Sequence, residues 1–75
     1  MSYNFKSMGR LIRTLRIRRK LSQEVLSGLA GISRSHLAMI ESGTKNPTVA
    51  TLWRIASALD MPLSRLFELL ETQNN

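Results

Sequence analysis

Seventy-five residues, 43% of them hydrophobic, read as one small domain, since neither half of so short a chain buries enough apolar surface to offset the entropy of ordering it. The absence of cysteine excludes disulfides and thiolate zinc sites and suits a reducing cytoplasm, and no apolar run approaches the roughly 18 residues of a membrane span. Eleven Lys and Arg against five Asp and Glu give a net charge of +6, with seven of the cations between Lys6 and Lys20 and no acid before Glu24; the positive end suits a polyanion, nucleic acid before an anionic membrane, with solvated helix surface as the bland alternative.

Residues 1–4 and the tail TQNN read as loose ends. From about Phe5 to Arg19 the apolar positions Phe5, Met8, Ile12 and Leu15 recur at three and four, one narrow arc of a helix. Lys6, Arg10, Arg13 and Lys20 take the opposite face, and Ile17 points outward. Arg16 sits at the edge of the arc, where its guanidinium needs a partner.

Ser22 reads as the N-cap of a second helix that runs to about Leu29, with Glu24 near its positive dipole end. Gly31 turns the chain, because glycine adopts positive φ without steric penalty. Ser33 caps a third helix. Leu37 and Ile40 mark its inner face with Glu41 beside them, while Ser35, Ala38, Met39 and Ser42 point the other way. Two short helices joined by a tight turn, over about residues 22–42, spell a helix-turn-helix. Glu41 at a buried edge and Arg16 at another are expected to pair, tying the first helix to the third.

GTKNP, from Gly43 to Pro47, is a loop by composition. Thr48 caps a fourth helix whose apolar residues Val49, Leu52, Trp53, Ile55, Ala56 and Leu59 cover more than one stripe, so it is expected to be the most buried element. Asp60 to Pro62 break it. A fifth helix over about residues 63–72 carries Leu63, Leu66, Phe67, Leu69 and Leu70, more than the last helix of a small core needs, and the surplus is expected at a homodimer interface.

LSQEVLSGLAGISRSHLAMIESG, preceded by MGRLIRTLRIRRK and followed by NPTVATLWRIASALDMPLSRLF, resembles the Cro/repressor-type helix-turn-helix proteins, the xenobiotic-response-element family. The likeness spans Met8 to Phe67, with the Gln after the cap, the turn glycine, the closing Glu-Ser-Gly and the Ala-Leu-x-x-x-Leu-x-x-Leu-Phe ending. It implies an all-α fold of five helices, repressor-like, with a central helix-turn-helix. It also implies a DNA-binding transcriptional regulator that acts as a homodimer on a palindromic operator, possible roles including phage repressor and restriction-modification controller. Two dimers on adjacent sites are a further option, and an antitoxin that also binds a toxin protein is the alternative.

Residue by residue, the resemblance implies that Gln23 contacts a phosphate with help from its helix N-terminus. Ser33, Arg34, Ser35, Ala38 and Met39 take recognition-helix positions. Arg34 is the best candidate for base readout, because a guanidinium binds guanine O6 and N7 together; a phosphate contact is its alternative. Ser35 bonds to a base or to the backbone. Ala38 and Met39 can pack on a thymine methyl, the alternative for Met39 being a gap-filler. Ser33 is placed with the phosphate contacts, as are Thr44, Lys45 and Asn46, which resemble a second phosphate clamp. Arg10 and Arg13 either add another or stay solvated. Arg16 and Glu41 match a bridging pair of the family.

Departures are Lys20, where glycine is common, Ser27 in place of alanine, and the larger Leu11 and Trp53. His36 has no second ligand at metal-binding spacing, and no nucleophile constellation is present, so neither metal, cofactor nor enzymatic activity is expected.

Overall fold

The computed structural model describes residues 3–73 and contains five helices in this span: α1 (Phe5–Arg18), α2 (Gln23–Ala30), α3 (Arg34–Ser42), α4 (Val49–Ala58) and α5 (Leu63–Gln73). Met1, Ser2, Asn74 and Asn75, which fall in the expected loose ends, lie outside the described residues. The rest of those ends is structured. Asn4 Oδ1 accepts from the backbone N–H of Lys6 at 2.9 Å and of Ser7 at 3.3 Å, capping α1. The Tyr3 ring lies 6.0 Å from that of Phe67, and α5 continues through Gln73.

Side-chain caps start the next three helices. Ser22 Oγ accepts from Val25 N–H, Ser33 Oγ from His36 N–H, and Thr48 Oγ1 from Thr51 N–H, each near 3 Å. The first four helices also end alike. In each, a residue with positive φ is followed by one whose N–H reaches back five residues, as in Leu21 to Arg16 O and Ile32 to Ser27 O. These bonds satisfy carbonyls that a helix terminus leaves open.

The core joins Met8, Ile12 and Leu15 of α1 to Leu26, Leu37, Ile40, Leu52, Ile55, Leu59 and Leu66. α1 crosses closely over α3 at Gly9, where a Cβ would be driven into the Ile40 carbonyl oxygen. No α1 residue with a side chain fits there. Ser27, buried against the neighbouring helices, satisfies its hydroxyl by donating to Glu24 O at 3.0 Å.

Two expectations are corrected. α4 is not the most buried element: Leu52, Ile55 and Ala56 face the core, but Val49 and Trp53 are 66% and 63% exposed, and α1 buries more residues. Leu66 and Leu70, expected at a dimer interface, are 0% and 3% exposed within the single chain and have no surface left to offer. They are the core residues of α5, whereas Leu63, Phe67 and Leu69 remain half-buried.

Candidate nucleic-acid interface

The outer face of α3 is assembled by what its inner face must do. Leu37 and Ile40 are fully buried and Glu41 nearly so, and the 100° step of the helix then turns Arg34, Ser35, Met39 and Ser42 to solvent, with Ala38 half-buried. Met39 is 42% exposed. Ser33 already accepts from His36 N–H, and its hydroxyl lies 3.4 Å from that of Ser35. His36 is half-buried, and its Nε2 is buried with no hydrogen-bond partner among the described residues.

Behind this face lies a buried polar cluster. Arg16 Nε donates to Glu41 Oε2 at 2.7 Å and Nη2 to Oε1 at 2.9 Å, a two-pronged pair; Nη1 donates to Leu21 O at 2.8 Å. Gln23 Nε2 donates to Glu41 Oε1 at 3.1 Å. The hydrogen bond to Glu41 raises the Arg16 pKa above its ordinary value, so the guanidinium keeps its charge. One carboxylate at the end of α3 thus holds the end of α1 and the first residue of α2. Because a carboxylate only accepts, the Gln23 amide must turn its nitrogen inward, and one N–H remains unused.

The other candidates are distributed unevenly. Arg13, Lys45 and Asn46 are exposed. Arg10 Nη2 donates to Ser7 Oγ at 3.0 Å and stays at the surface. The Thr44 hydroxyl folds back onto α3, donating to Met39 O at 3.2 Å and lying 3.1 Å from Ser42 Oγ. A cation not singled out from the sequence joins this end: the Lys6 stem lies against Gly43, 3.0 Å from where a Cβ would stand. The signal was present, since Lys6 shares the outer face of α1 with Arg13, but only the α1–α3 crossing brings it to the end of α3.

A second surface is apolar. Trp53, Ser57, Pro62, Leu63 and Phe67 line a groove between α4 and α5, and a second groove, also lined by Phe67, runs between Tyr3, Asn46, Pro47, Val49 and Leu52 and so reaches the loop after α3. Among the described residues, no cluster of three or more His, Cys, Asp or Glu could hold a metal, and no helix is long and apolar enough to cross a membrane.

Five helices with a capped helix, a glycine turn and a second capped helix whose polar face is exposed define an all-α helix-turn-helix domain. Residues 12–66 match the family described as Helix-turn-helix (HTH_3), and the chain belongs to that family. It is similar to the immunity repressor protein of Bacillus phage phi105, 40% identical over 80% of this chain and 42% of the repressor. It is also similar to the HTH-type transcriptional regulator SutR of Escherichia coli, 42% identical over 71% of this chain and 30% of the regulator. The chain therefore spans less than half the length of these relatives.

Among solved structures, the restriction-modification controller protein C.AhdI from Aeromonas hydrophila superposes with a TM-score of 0.80 at 35% identity, covering 84% of this chain and 96% of that one. A second controller, C.Esp1396I, solved as a tetramer on its natural 35 base-pair operator, shares the fold with a TM-score of 0.87 at 24% identity over 96% of this chain and 95% of its own.

Proposed function

We propose that this domain binds duplex DNA sequence-specifically as a homodimer, with α3 in the major groove, and regulates transcription from a palindromic operator. The observation that carries the reading is the exposed face of α3, where Arg34, Ser35, Ala38 and Met39 stand outside a helix whose opposite face is buried. Arg34 supplies the bidentate donor that reads guanine, and Met39 and Ala38 the apolar surface that meets a thymine methyl. Gln23, Ser33, Lys45 and Asn46, with Lys6, Arg10 and Arg13, supply backbone contacts that fix register. Thr44 is the weakest of that set, since its hydroxyl is engaged with α3. The likeness to C.AhdI and to the phage repressor supports a role in control of a promoter.

The dimer contact is assigned to the α4–α5 face: Val49, Trp53, Leu63, Phe67 and Leu69. An exposed tryptophan beside an apolar groove suits a two-fold contact, in which the same patch serves both copies. A dimer that places its two recognition helices in successive major grooves holds them about 34 Å apart, one turn of the duplex. Selection of bound sequences from a random duplex library tests the reading. Palindromic sites with half-site centres one turn or a whole multiple apart are expected; recovery without sequence enrichment would reduce the function to non-specific binding.

A further inference from the structure

Four helices of this molecule end in the same hydrogen-bonded turn, so the residue at its left-handed position can be compared within one fold. After α2 and α3 it is Gly31 (φ 72°) and Gly43 (φ 80°), and after α4 it is Asp60 (φ 62°). After α1 it is Lys20, at φ 58°. Its N–H donates to Ile17 O at 2.9 Å and that of Leu21 to Arg16 O at 3.1 Å, which are the same two bonds that close the other three turns. Glycine has no Cβ to clash in this conformation, and the short polar side chain of aspartate is among those that visit it. A long lysine has neither advantage.

The two backbone bonds hold the turn, but no side-chain hydrogen bond or ion pair of Lys20 occurs among the described residues. Lys20 is exposed, and the two ion pairs among the described residues, Arg16–Glu41 and Arg65–Glu68, do not include it. The turn explains the left-handed conformation but not the choice of a long cationic side chain for it, which points to a function outside the isolated fold. Two features give that function its chemistry. Arg18 and Arg19 are also exposed, and no acidic side chain occurs before Glu24. The adjoining residue, Leu21, gives its carbonyl to Arg16 Nη1, and Arg16 grips the same Glu41 that holds Gln23. Lys20 thus stands one residue from the cluster that fixes the start of α2.

We propose that Lys20 contacts a backbone phosphate of duplex DNA next to the one met by Gln23, and that the chain tolerates a left-handed lysine at this turn because the charge serves binding. The inference rests on the DNA-binding reading above. It makes Lys20 a position where fold stability and DNA affinity are opposed.

Lys20→Gly, Lys20→Asn and Lys20→Arg in the full chain, each measured for Tm and for affinity to a random-sequence duplex across about 50–200 mM salt, test it. Lys20→Gly is expected to raise Tm by about 4 °C, the strain relieved less the chain entropy that glycine adds. It is also expected to weaken binding several-fold and to lower the slope of log affinity against log salt by about 0.9, the share of one phosphate. Lys20→Asn should weaken binding equally, and Lys20→Arg should match the parent in Tm, affinity and slope. A Lys20→Gly protein with raised Tm but unchanged affinity and slope overturns the inference and leaves the DNA reading standing. A fall in Tm on the same substitution removes its strain premise. A parent protein that fails to bind the duplex at low salt takes away the DNA reading itself.

Discussion

At the scale of single residues, two glycines in helices give opposite expectations from the same substitution. Gly28 has nothing within 4 Å of an added Cβ, so Gly28→Ala should stabilise by about 0.5–1 kcal/mol through helix propensity alone. Gly9 meets the Ile40 backbone, which cannot swing aside as a side chain would. Gly9→Ala should therefore destabilise by about 1–3 kcal/mol despite the better propensity. Urea midpoints of the two variants, moving in opposite directions, check both. Arg34 carries the other residue-scale prediction. Its guanidinium is exposed on a helix face otherwise offering hydroxyls, a methyl and a thioether, so Arg34→Ala should lose about 1–3 kcal/mol on the selected site and relax preference at one base pair. Equal losses on selected and random duplex would make Arg34 a phosphate contact only.

At the scale of elements, the Arg16–Glu41 pair joins three helices through one carboxylate, and removing either partner should be costly. The Glu41 side chain is 2% exposed, so Arg16→Met leaves a buried charge unpaired and should cost about 3–5 kcal/mol. That is a large part of the stability of so small a chain, which is roughly 0.05–0.15 kcal/mol per residue. The double variant Arg16→Met, Glu41→Leu should recover most of the loss, measured by denaturant unfolding, because it removes both charges. This pair was legible before the structure, since a lone cation and a lone acid each stood at an apolar edge, and so were the helix starts, since Ser22, Ser33 and Thr48 are local signals acting within three residues. The roles of the α4 and α5 leucines and tryptophan were not. A wheel shows how many apolar residues a helix has, but which of them meet the core depends on how α4 and α5 cross, and Leu66 and Leu70 turned inward while Val49 and Trp53 turned out. For the same reason the outer face of α1 could be assigned to Lys6 from the sequence, but its place against Gly43 at the end of α3 could not.

At the scale of the whole molecule, the six exposed cations before residue 21, Arg16 being engaged with Glu41, and the apolar α4–α5 face impose separate dependences, one on salt and one on protein concentration. If six or more phosphates are neutralised, affinity should fall by roughly a thousandfold or more between about 50 and 200 mM salt; a flat response would remove the electrostatic argument. Dimerisation needs a different probe, and the choice of residue decides whether it is informative. Leu66→Asp would place a charge in the core and unfold the chain, so loss of a dimer there would say nothing about the interface. Trp53 and Val49 are 63% and 66% exposed, so Trp53→Asp and Val49→Lys should leave Tm of the monomeric fold nearly unchanged. If their face is the two-fold contact, each should convert a dimer to a monomer in sedimentation equilibrium. Both variants should then bind a single half-site as well as the parent does, while losing the gain in affinity that two linked half-sites provide. Unchanged mass in both variants would place the contact between copies on another surface.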